Sequence, residues 1–145
     1  MKKYIIFLFL LIISTNIGFS SEVIHSYHKD LKMIPYPELK AMFTKRKTRW
    51  DTGELITVYI KPLNSIEHEE FVYSWLRMTS YRYKRLLEKQ TYAGKSTGVI
   101  ELVSDYEMVA ALQAKPYSLG YLSNGNILFS GIDDNHLITI VGHYK

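Results

Sequence analysis

The sequence predicts one small α/β domain, a mixed sheet flanked by helices, and three observations carry that expectation. An almost continuous β-branched and apolar run, Leu55 to Ile60, has the length of a strand buried on both faces. Segments with a 3.6-residue apolar period and helix-start residues follow it, and strand-like segments return near the end of the chain. Alternation of strands and helices without repeat, linker or low-complexity tract points to a single compact unit.

The chain opens with Lys2 and Lys3, an apolar stretch from Tyr4 to Ile13, and the polar segment Ser14-Thr15-Asn16. An apolar run this short falls below the ~18 residues expected of a bilayer crossing and within the range of a signal h-region, so no stable membrane span is expected. Gly18 and Ser20 have the small-residue spacing a signal peptidase requires. The expected division is therefore a signal peptide over 1–20 and one domain over 21–145, periplasmic or secreted. The chain has no cysteine, which excludes a lipobox anchor, disulfide staples and thiolate zinc.

The domain that remains, about 125 residues, suffices for one core but not for two. The formal charge of +4 counts Lys2 and Lys3, which leaves about +2 after cleavage and gives no support to a nucleic-acid partner. The dense basic run Lys45-Arg46-Lys47-Thr48-Arg49 is expected to be a solvated loop after a helix.

Val23 to Tyr27 is β-prone, and Pro35 and Pro37 precede a brief helix expected over Glu38 to Phe43. Trp50-Asp51-Thr52-Gly53 is a turn before the Leu55 to Ile60 strand. Asn64 with Glu67 has the spacing of a capping box, and Phe71, Val72, Trp75 and Leu76 then share one helix face. Thr79 or Ser80 starts the next helix, with Tyr83, Leu86 and Leu87 inward. Ser104 with Glu107 is a further capping box, with Val103 and Met108 as its staple and Met108, Val109, Ala111 and Leu112 inward; Lys115-Pro116 ends it. Leu119 to Leu122 and Ile127 to Phe129 read as a hairpin around Asn124-Gly125, and a last strand is expected over Leu137 to Val141.

Few of these residues have the spacing that chemistry needs. His25 and His28 on a strand point to opposite faces, while His68, His136 and His143 lie scattered, so no metal is expected. The chain has no GxSxG, and Asp133-Asp134 and Glu69-Glu70 are adjacent carboxylates that point apart, so no catalytic residues are assigned and an enzyme is not expected. Gly94-Lys95-Ser96-Thr97-Gly98 resembles the end of a P-loop, but Lys89 stands where the first glycine belongs and a helix precedes it. The segment reads either as a small anion nest or as a plain turn. Asn64-Ser65 at a helix start reads either as an anion site or as ordinary capping, with Glu67 opposing an anion.

Several short segments, in this order, resemble the short proteins related to the periplasmic phosphate-binding receptors of ABC importers. They are Met42-Phe43-Thr44-Lys45-Arg46, Trp50-Asp51-Thr52-Gly53, Asn64-Ser65 before Glu70-Phe71, Thr91-Tyr92-Ala93-Gly94-Lys95, Gly98-Val99, and Tyr117-Ser118-Leu119-Gly120-Tyr121. The resemblance implies a type II periplasmic-binding-protein fold, here with room for little more than a single lobe. It implies oxyanion contacts through Asn64, Ser65, Lys95, Ser96, Thr97 and Gly98, and no cofactor. The expected function is that of an exported solute-binding-like protein that takes phosphate or another small oxyanion weakly, with an ABC permease or envelope protein as partner. The alternative is a non-catalytic envelope interaction module that reuses the receptor fold with ligand binding lost.

Overall fold

The computed structural model describes residues 22–26, 34–95, 98–122 and 138–143. The expected signal peptide, His28, His136, Ser96, Thr97 and Asp133-Asp134 lie outside the described residues, as does Ile127 to Phe129, the second arm of the expected hairpin.

A five-stranded sheet in the order β3-β2-β4-β1-β5 forms the centre. Its strands are β1 (Glu22–Ser26), β2 (Thr57–Ile60), β3 (Val99–Glu101), β4 (Ser118–Leu122) and β5 (Ile138–His143). Strand β2 runs parallel to both β3 and β4, pairing Val58 with Val99 on one side and with Leu119 on the other. Strand β1 is antiparallel to β4 and to β5. The sheet is therefore mixed, as the alternation of elements predicts. Strand β4 spends both of its edges on β1 and β2.

Among the described residues four helices pack on this sheet: α1 (Tyr36–Phe43), α2 (Ile66–Leu76), α3 (Ser80–Tyr92) and α4 (Asp105–Ala114). Alternation along the strands divides their side chains between two faces. Val58, Ile60, Leu119 and Tyr121 join Leu39, Met42 and Phe43 of α1, Phe71, Val72, Trp75 and Leu76 of α2, and Tyr83 of α3. Tyr59 and Leu122 point the other way, onto Met108 and Leu112 of α4. All four residues of β2 are buried, which is why its sequence is apolar on both faces.

The local start signals mostly act as expected. Ser104 accepts from the Glu107 amide and the Glu107 carboxylate accepts from the amides of Val103 and Ser104, a complete capping box. Thr79 caps α3 through the Arg82 amide. Helix α1 begins earlier than expected, at Tyr36, because a proline at the first turn lacks only an N–H that would be unpaired anyway.

Three expectations are corrected, and one strand was not foreseen. The cap of α2 is Ser65, not Asn64: its hydroxyl accepts from the His68 amide at 3.2 Å. Val103 is not a core staple; it is 77% exposed, because its amide is turned to Glu107 and its side chain leaves the surface. Strand β3, three residues with half-buried or exposed side chains, has no apolar period to announce it. Most tellingly, Lys45 of the basic run is not solvated: it is fully buried, and its ammonium donates to Ile56 O at 2.9 Å.

Candidate functional site

The parallel strands define two ends. Beyond the carboxyl end of β2 stand Lys61, a turn closed by Ser65 N to Pro62 O at 2.8 Å, and the first turn of α2. Beyond the carboxyl end of β3 stand Leu102, Val103 and the cap of α4. From β2 the chain passes to β3 on one side and then to β4 on the other, so the order of connection reverses between β2 and β4. The crevice outside the carboxyl ends at such a reversal is where open α/β sheets hold ligands.

A buried network braces this end. The Lys61 ammonium pairs with Asp105 Oδ1 at 2.6 Å, tying the end of β2 to the first residue of α4. The Lys61 amide donates to Tyr121 Oη at 2.9 Å, and His68 Nδ1 lies 2.8 Å from the same oxygen. The contact carries one proton, which comes from the Tyr121 hydroxyl where His68 is the Nε2–H tautomer and from Nδ1–H where it is the other. His68 Nε2 is buried without a hydrogen-bond partner among the described residues, and the imidazole ring lies 5.2 Å from the Tyr83 ring between centroids. Burial holds His68 down to about 4, so the ring is neutral at pH 7. Burial pushes the Tyr121 hydroxyl well above its ordinary range, with a smaller contribution from the charges of Glu67 and Glu101. Phe71 stacks on Tyr121 at 3.8 Å between centroids, which fixes the phenol in place.

Asn64 is exposed and Ser65 half-buried at this carboxyl end. Around them the rim is acidic and apolar: Glu67, Glu101 and Glu107 are exposed, as are Ile66, Val103 and Tyr106.

The second candidate loop lies elsewhere. Lys95 is exposed after α3, and Gly94 in the left-handed conformation (φ 71) turns the chain between them. Gly98, at φ 91, lies against the start of β2: a side-chain carbon placed on it would stand 3.1 Å from Ile56 O and 3.6 Å from Lys45 Nζ. Val58 N donates to Gly98 O at 2.6 Å. This is the amino end of the parallel strands. The length of β2, about 10 Å, separates Gly98 from the Asn64-Ser65 turn, so these two stand at opposite ends of the strand.

Lys61, Asp105, His68 and Tyr121 are absent from the candidate ligand-binding residues read from the sequence. For His68 a signal existed: it is three, four and seven residues before Phe71, Val72 and Trp75, on the buried face of α2. Lys45 had none, because its burial rests on neighbours distant in the chain, Ile56 O and Gly98. Burial without a carboxylate partner among the described residues lowers it to about 8. Among the described residues no group of acidic, histidine or cysteine side chains has the arrangement of a metal site, and no helix is long and apolar enough to cross a membrane.

No protein-family profile matches the chain, and no curated protein matches it. Among solved structures, the fold is similar to the crystal structure of PstS from Borrelia burgdorferi, with a TM-score of 0.50 and 13% identity over 72% of this chain. The chain spans 41% of that protein's length. The likeness is one of fold: what this chain shares with PstS is part of a mixed α/β architecture.

Proposed function

We propose that the chain is an exported solute-binding-like protein, a single lobe of the type II periplasmic-binding fold, that holds phosphate or another small oxyanion weakly at the carboxyl end of β2. The observation that carries this reading is the position of Asn64-Ser65 at the reversal between β2 and β4, before the first turn of α2. The fold likeness to PstS, a phosphate-binding protein, supports it. Weakness follows from the surroundings. Glu67 and Glu101 oppose an anion, and in open water an ion pair at 4 Å is worth only about 1 kcal/mol. Lys95, Ser96, Thr97 and Gly98 are a separate anion-nest proposal, of which Gly98 stands at the other end of β2.

Thermal unfolding against phosphate and sulfate, with chloride matched for ionic strength, tests this. A ligand at a hundred times its dissociation constant adds about 2.7 kcal/mol of stability. Asn64→Ala should reduce the shift and Glu67→Gln should enlarge it. Lys95→Ala leaves it unchanged where the carboxyl end holds the anion, and abolishes it where the Lys95 loop does. Absence of any shift beyond chloride refutes oxyanion binding. It favours the second reading, a non-catalytic interaction module for an envelope partner, for which the exposed Ile66, Val103 and Tyr106 at the same end argue.

A further inference from the structure

The basic run after α1 does not lie loose in water; it is wound back onto the helix. Lys45 adopts φ 56, and its buried ammonium is pinned to Ile56 O. The amides of Arg46 and Lys47 both donate to Ala41 O, at 2.8 and 3.0 Å. This brings Arg46 and Lys47 beside Tyr36, Pro37, Lys40 and Ala41, which together line an open groove of about 450 Å³.

We propose that this groove is a binding site for an organic anion, a single oxyanion group carried on a flat ring. Arg46 and Lys40 take the oxyanion, and Tyr36 takes the ring.

The cations are oriented before any ligand arrives. Thr44, itself fully buried, donates its hydroxyl proton to Lys40 O at 2.6 Å and accepts from Arg46 Nε at 3.3 Å. That contact sets the plane of the guanidinium and leaves its terminal nitrogens for a forked contact with an oxyanion. Lys47 is held by Glu38 and Asp51 and serves as a neutralised wall. Lys40 has no carboxylate partner among the described residues; its ammonium stands 6.0 Å from the centre of the Tyr36 ring. Three cations against two carboxylates leave the groove one positive charge, which matches one anionic group.

The ring requirement comes from Tyr36 and from size. Tyr36 is 42% exposed, and its ring packs at 6.5 Å against Trp75, so it presents a fixed aromatic surface. The groove's volume lies within the range of organic-ligand pockets, about 300 to 1,000 Å³, and exceeds what a bare oxyanion fills. The site is independent of Asn64-Ser65.

Titration of the isotope-labelled chain with phenyl phosphate, inorganic phosphate and phenol, followed by amide resonances, tests the proposal. Phenyl phosphate should move Tyr36, Lys40, Arg46 and Lys47 saturably, while phenol should not. Lys40→Gln with Arg46→Gln removes both charges while leaving polar side chains and should weaken phenyl phosphate about tenfold or more, the loss expected of a charge-assisted contact. Tyr36→Leu should bring phenyl phosphate down to the affinity of inorganic phosphate. Unchanged affinity in the double variant, or shifts confined to Ser65 or Lys95, overturns the site. Equal affinity of the unsubstituted chain for phenyl and inorganic phosphate overturns the ligand class.

Discussion

Lys45 and His68 are buried bases that the fold holds at unequal cost across pH. Lys45 ionises at about 8 in the folded chain and near 10.5 when unfolded. Between those values the unfolded chain binds a proton that the folded chain releases, so stability rises with pH through that window. Above about pH 10 the buried Tyr83 and Tyr121, whose hydroxyls burial pushes up, act in the opposite direction. Denaturant unfolding from pH 7.5 to 10 should therefore show a gain that Lys45→Met removes, with the variant at least as stable as the parent at neutral pH. His68 behaves alike at acid pH. Folded at about 4 against 6.5 unfolded, it makes stability fall as pH falls across that window, by about 3 kcal/mol at the acid limit. His68→Asn, whose side-chain oxygen can accept from Tyr121, should flatten this limb; an unaltered slope between pH 6.5 and 4 would show that another group governs it.

Helix α4 shows how far local signals reach. Its capping box was legible because both partners lie within four residues of each other, and Met108 and Leu112, one turn apart, are both buried as the period predicts. Val103 was misread because the staple rule gives a contact its residue never makes. Leu112→Ala should cost about 2 to 5 kcal/mol, while Val103→Ala should stay within about 0.5 kcal/mol; equal losses in urea melts would put the wrong face inward. The packing of α4 on β4 is close at Gly120, where an added side-chain carbon would stand 2.6 Å from Met108 Sδ. Gly120→Ala should therefore destabilise by about 1 to 3 kcal/mol. Adding Met108→Ala to it should cost less than the sum of the two single changes, and strict additivity would place the clash elsewhere.

Across the whole molecule, β1 lies between β4 and β5, so the segment just behind the expected cleavage site is an interior strand of the sheet. Cleavage after Ser20 leaves Glu22, the first residue of β1, in place. N-terminal sequencing of the exported chain should read from Ser21; a start beyond Ser26 would delete a strand and is incompatible with this sheet.

The sequence by itself determined the α/β class, a helix start at Thr79 or Ser80, the helix cap at Ser104, the doubly buried strand at β2 and the inward faces of α2 and α4. Each of these rests on residues close in the chain, where spacing translates directly into geometry. Only the tertiary structure decided that Lys45 is buried, that His68, Tyr121, Lys61 and Asp105 form one network, and that Gly98 and Asn64-Ser65 stand at opposite ends of β2. These depend on which strands are neighbours and in which direction they run. A parallel crossover sends the loop before β3 to one end of the sheet and the turn after β2 to the other, and no local spacing records that choice.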